Sequence, residues 1–109
     1  MAKPEDPPLD GQSLADLDKL VHEPARLTIL ALLSVVDRAD ATFLLQQTGL
    51  TWGNLSAHVS KLEAAKYVSV AKTFVDKRPK TLLRLTATGR KAFRAYRQRM
   101  QDVLDSIPE

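Results

Sequence analysis

Two short stretches of this sequence carry side chains suited to holding a polyanion. The first is Thr51, Trp52, Gly53, Asn54, Ser56, Ala57, Ser60 and Lys61; the second is Lys77, Arg78, Pro79 and Lys80. On a helix turning about 100° per residue, Leu55, Val59 and Leu62 share one narrow arc. Opposite lie Gly53, Ala57, Ser60 and Ala64, with Ser56 on one flank and Asn54 and Lys61 on the other. The first arc is a core face. The second is small and polar, which lets a helix approach a major-groove floor while Asn, Ser and Lys bond base edges and phosphates. Thr51 suits the N-cap, and a helix N-terminus offers free N–H groups to phosphate. An exposed helix of purely structural use has the same pattern, so the face alone leaves both readings open.

The second stretch is a turn with three cations beside a rigid proline. Arginine there can enter a narrow minor groove or clamp a phosphate. A purely structural hairpin would more often use Asn-Gly or Asp-Gly. Lys72 and Arg84 extend the same positive edge. The net charge of +3 conceals a strong segregation. Residues 1–60 hold four Lys/Arg against eight Asp/Glu, residues 61–99 twelve against two, and the last ten residues three acids and no base. A basic middle between acidic ends suits a nucleic-acid partner, although solvated faces would also carry such charge.

Other chemistry finds little support. The absence of cysteine removes disulfides, thiolate zinc sites and cysteine nucleophiles, and is compatible with the reducing cytoplasm in which the protein is expected. No Gly-rich phosphate loop, Ser/His/Asp set or paired carboxylates can be assembled, so neither catalysis nor a cofactor or metal is expected. His58 borders the two arcs and has no second ligand at metal spacing; a bond to backbone or a phosphate contact fits it better. His22 beside Glu23-Pro24 reads as a helix-junction residue, and Trp52 as either a base or sugar contact or a half-buried packing residue. The apolar runs are too short to span a membrane, and the N-terminus lacks the apolar stretch of a secretory signal.

One domain must position these residues. Residues 1–12, with Pro4, Pro7, Pro8 and Gly11, read as a disordered lead-in, and residues 13–107 as the folded unit. Ser13 can cap a helix over residues 14–21, and Pro24 opens a second over 24–36 that is apolar nearly all round and therefore central. Residues 37–40 form a polar connection. A short helix over 41–48 ends at Gly49, and Thr51 caps the next, which runs to about Ala65: a helix–turn–helix. Beyond Tyr67 the apolar period becomes two. Strands over 68–75 and 81–86 flank a turn at 76–80 with Pro79 at its tip. Residues 87–107 form one long helix on which Phe93, Tyr96, Met100, Val103 and Ile107 repeat at steps of three and four. The expected class is α+β, mainly α, with a three-helix core, a two-stranded hairpin and a long C-terminal helix. The seam on the last helix, joined by Leu14, Leu17 and Val21, exceeds what a small domain needs and would pair two copies into a homodimer; packing on its own domain is the competing reading.

Three stretches resemble the winged-helix transcription regulators related to the MarR and ArsR groups, above all the small stand-alone winged helix DNA-binding domains. They are HEPARLTILALL (22–33), LTWGNLSAHVSKLEAAKYV (50–68) and FVDKRPKTLLRLTATGRKAF (74–93). The resemblance implies a homodimer that binds double-stranded DNA, with the recognition helix in the major groove and the wing toward the minor groove. Lys66 stands where that family often has glycine, and Trp52 where it often has an acidic residue. A winged-helix protein-interaction module without specific DNA binding is the alternative, and nothing marks a small-molecule effector. Single-stranded or RNA binding would want an exposed aromatic platform that the sequence does not display.

Overall fold

The computed structural model describes residues 17–108. In chain order they form α1 (Pro24–Ser34), β1 (Ala39–Asp40), α2 (Ala41–Thr48), α3 (Trp52–Ala64), β2 (Val68–Val75), β3 (Arg78–Leu85) and α4 (Ala87–Ser106). The lead-in at 1–12, Ser13 and Leu14 lie outside the described residues. Of the helix expected over 14–21, residues 17 and 18 are irregular and residues 19–21 form a turn instead. Asp18 explains the departure. Its Oδ1 accepts from the backbone N–H groups of Leu20 (2.9 Å) and Val21 (3.2 Å), and its Oδ2 accepts from the Tyr67 hydroxyl (2.6 Å). A side chain that takes local backbone donors competes with helical bonding. The same hydroxyl bond, with burial, pushes the Tyr67 pKa up to about 12.

Helix α1 starts where Glu23 accepts from Arg26 N–H (2.8 Å) and Pro24 occupies the first turn. Ile29, Leu30 and Leu33 are fully enclosed, as expected of a central helix. It ends two residues earlier than its apolar pattern suggests, and Val35 beyond it is exposed. Helices α2 and α3 keep their expected bounds. Asp40 caps α2 by accepting from Phe43 N–H (2.8 Å), and Gly49 closes it at φ +72°. Thr51 then caps α3 by accepting from Asn54 N–H (3.1 Å), while Leu50 packs into the corner between them.

The sheet has three strands in the order β1-β3-β2, where only two were expected. The polar connection at 37–40 contributes the third: Ala39 pairs with Leu83 and Asp40 with Leu82. The hairpin is also longer and its turn tighter. Val75 pairs with Arg78, so the turn is Asp76-Lys77 alone, at φ +52° and +65°. Two successive positive φ values make the mirror-image turn whose twist suits a two-residue hairpin. Pro79 therefore lies within β3 opposite Phe74 rather than at the tip. Bonded and non-bonded pairs alternate in an antiparallel ladder, so the pair next to the closing one exchanges no N–H bonds. Proline is tolerated there because β1 pairs only with Leu82 and Leu83 on the other side of β3.

The turn from α3 into β2 positions the sheet. Lys66 adopts φ +64°. Its N–H bonds Glu63 O (2.9 Å) and the Tyr67 N–H bonds Leu62 O (2.9 Å), a Schellman closure that normally ends in glycine. Lys66→Gly is expected to stabilise the fold by about 0.5–1 kcal/mol, since the left-handed conformation costs a side-chain-bearing residue about 1–2 kcal/mol and glycine returns part of that in unfolded-state entropy. Urea denaturation reads the change; a loss of stability would contradict the account of this turn.

Candidate nucleic-acid interface

All eight residues expected on the outer face of α3 (Thr51, Trp52, Gly53, Asn54, Ser56, Ala57, Ser60 and Lys61) are exposed. Leu55 and Leu62 on the opposite arc are buried, and Val59 is half-buried against the core. The first turn of α3 carries no acidic side chain, so its N-terminal dipole end is open to an anion. Trp52 is 58% exposed at the start of the helix, with the rest of its surface covered.

A brace from α1 orients this helix. Arg26 donates through Nε to Leu20 O (2.6 Å) and through Nη1 to His58 Nδ1 (3.2 Å). Arginine only donates, so in this arrangement Nδ1 accepts and the imidazole proton sits on Nε2. Glu23 Oε1 lies 3.8 Å from the same nitrogen. The bond from Arg26 N–H holds the Glu23 carboxyl below its ordinary pKa, and the charge of Arg26 adds to this. His58 thus contacts two side chains of the α1 start rather than a backbone group.

The hairpin cations separate into two kinds. Lys77 and Arg78 are exposed at the tip, and Pro79 is exposed beside them. Lys80 instead reaches back to Asp40 Oδ2 (3.2 Å), tying β3 to the cap of α2. Arg84 is similarly near Asp37, at 3.5 Å. The Asp40 carboxyl is held below its ordinary value by Phe43 N–H first and by Lys80 second. Asp40→Ala should therefore cost about 1–2 kcal/mol, mostly from the lost cap, because a half-buried ion pair open to solvent adds only about 0–1 kcal/mol. The depressed carboxyls of Asp40 and Glu23 make their contributions complete at neutral pH and remove them as pH falls below the ordinary carboxylate range. Thermal melts of wild type and D40A should converge on acidification; parallel curves would refute this.

Between α3 and the sheet lies an open cleft of about 270 Å³. Trp52, Ser56, Ser60 and Glu63 line it from the helix, and Val70, Lys72, Thr81 and Leu83 from the strands. Lys72 therefore faces α3, a placement that the alternation of β2 (Val68 and Val70 inward, Lys72 next) could have indicated.

The expected seam on α4 is largely consumed within the chain. Leu17, Val21 and Tyr96 are buried in the core, Phe93 and Met100 pack against it half-buried, and Val103 is buried. The Tyr96 hydroxyl bonds His22 Nδ1 (2.7 Å), and burial raises its pKa. Val21 has no surface left to offer a partner. The exposed apolar residues of this end are Ile107 (47%) and Leu104 (56%), the latter absent from the expected stripe. Among the described residues no helix is long and apolar enough to cross a membrane.

The stretch from α1 to α4 matches a family model described as "winged helix DNA-binding domain" over residues 25–104. The chain belongs to that family. An uncharacterized protein of Methanocaldococcus jannaschii is 36% identical over 78 residues, which cover 72% of this chain and 85% of that one. Among solved structures, a transcriptional regulator homologue from Pyrococcus horikoshii superposes with a TM-score of 0.81 at 26% identity, covering 86% of this chain and 95% of that chain. NadR in complex with 4-hydroxyphenylacetate shares the fold at a TM-score of 0.68 and 24% identity, over 88% of this chain and 67% of that one. An ArsR family transcriptional regulator shares it more distantly, at a TM-score of 0.54 and 15% identity, over 91% of this chain and 97% of that chain. The resemblance to winged-helix regulators holds, and the hairpin is the wing.

Proposed function

We propose that this winged helix regulates transcription by sequence-specific binding to duplex DNA as a homodimer. In this reading α3 lies in the major groove, and Lys77 and Arg78 reach the minor groove and flanking phosphates. One observation carries it: the outer-face residues of α3 between Thr51 and Lys61 are exposed while Leu55 and Leu62 on its other arc are buried in the core, so the small polar face has no part in the core. Asn54, Ser56 and Ser60 supply base-edge donors and acceptors, and Gly53 and Ala57 keep the helix surface low enough to enter. Lys61, Lys72 and the tip cations supply phosphate neutralisation.

Leu104, Ile107 and the remaining edges of Phe93 and Met100 form the surface for a second copy. Two-fold pairing there would present two recognition helices to half-sites about one helical turn apart. Selection of bound duplexes from a random pool, with sedimentation of the free protein, tests both parts. A pseudo-palindromic motif and a dimer are expected. A pool without enrichment would instead favour a protein-interaction module, and a monomer at micromolar concentration would remove the two-fold arrangement.

A further inference from the structure

Phe74 is 73% exposed near the tip of the hairpin, in a strand with no other aromatic residue. Its cross-strand partner is Pro79, also exposed, in a pair where side chains approach most closely. Side chains alternate along a strand, so Phe74 and Pro79 share a face with Lys72 and Thr81 one pair back and with Val70 and Leu83 before them. Those four line the cleft beneath α3. The aromatic ring therefore stands on the recognition-helix side of the wing, beyond the cleft and one residue before the closing pair of the turn. The neighbouring charges of the hairpin are Lys72, Lys77 and Arg78, with Asp76 as its one acid, while Lys80 is paired with Asp40. The cations set around this exposed ring have an anionic polymer as their complementary partner.

We propose that Phe74, backed by the rigid ring of Pro79, is a wedge that enters the minor groove beside the wing, partly unstacks a base step and bends the bound duplex. Apolar side chains inserted between base steps act in this way in minor-groove proteins, with kinks of about 20–90°. Lys77 and Arg78 hold the flanking phosphates while the ring is seated. Flexible pyrimidine–purine steps would be preferred at that position without any base-edge contact. The inference rests on duplex binding as proposed above and adds a deformation to it.

The test uses the full chain and a duplex taken from the random-pool selection, end-labelled for energy transfer and carrying 2-aminopurine at successive positions. Wild type should shorten the end-to-end distance and brighten one probe position on the wing side of each half-site. F74A should bind with a loss of about ten-fold or less and abolish both signals, whereas F74L should keep both. Phe74 is exposed, so F74A leaves the core untouched. A bound but straight duplex with wild type, or a bend that survives F74A, overturns the wedge while leaving duplex binding in place. Failure of wild type to bind any duplex overturns the underlying reading itself. A change in oligomeric state with F74A and no change in bend would assign the ring to a protein contact.

Discussion

Gly89→Ala is expected to destabilise this protein by about 3–5 kcal/mol and to lower its melting temperature by at least about 12 °C. A Cβ built at Gly89 would lie 2.0 Å from Tyr67 O and 2.7 Å from Tyr67 C, both backbone atoms, and 2.9 Å from Leu85 Cδ1. A backbone carbonyl at that distance cannot rotate away. The start of α4 would have to leave the turn that joins α3 to β2. That movement breaks the bond from Thr86 N–H to Tyr67 O (3.0 Å) and the bond from the Thr86 hydroxyl to Lys66 O (2.6 Å). Thr86 also caps α4 through Gly89 N–H (2.9 Å), so one residue pair fixes both the helix start and the strand entry. Overpacking costs about 1–3 kcal/mol and each lost bond about 1 kcal/mol. A small domain holds only about 5–15 kcal/mol in all, so the variant should be marginal at physiological temperature. Differential scanning calorimetry checks it, and a melting point within a few degrees of wild type would contradict the packing described.

The second large effect concerns recognition. Asn54→Ala should reduce binding to the preferred duplex by about 5- to 150-fold, equivalent to the 1–3 kcal/mol of a bidentate base contact, and should change binding to a scrambled duplex little. Asn54 sits in the first turn of α3, exposed, with its own N–H already engaged by Thr51, so truncation of its side chain leaves the cap intact. Arg78→Ala should behave differently. It would remove the phosphate contact proposed for the wing tip, so every duplex should weaken and the salt dependence should become shallower by about one unit of logarithmic slope. Titration of labelled duplexes at matched salt separates the two patterns. Equal losses on both duplexes for N54A would move base reading away from this residue.

Much of this site was legible in the sequence because its elements carry local signals. Thr51 and Gly49 mark the ends of α3 and α2 by cap chemistry, which depends on neighbours only a few residues away. Lys66, standing where glycine is usual, does adopt the left-handed conformation that the position demands. The turn of the wing was harder to read. Asp76 and Lys77 occupy positions that favour Asn-Gly, so the strands look shorter than they are and Pro79 looks like a tip residue. Lysine at a positive φ there costs stability that glycine would not, consistent with a requirement for charge at the tip.

Long-range partners were not legible at all. Nothing near Asp18 in sequence indicates that Tyr67 will claim its carboxylate, and nothing near Lys80 indicates Asp40. These pairings decide that residues 19–21 form a turn and that Lys80 serves the fold before any ligand. The periodic stripe on α4 was legible as apolar, but periodicity gives no indication of which partner covers it. Leu17, Val21 and Tyr96 went to the chain's own core, which leaves Leu104 and Ile107 as its exposed apolar end.

The most direct test of the central claim, that the α3 face and the wing form a duplex-binding surface, is the affinity of the intact protein for its selected duplex and a scrambled one across ~50 to ~200 mM salt. The account predicts steep, nearly parallel losses on both duplexes with a constant gap between them, since phosphate contacts set the slope and base contacts the gap. A gap that vanishes, or an affinity indifferent to salt, would contradict it.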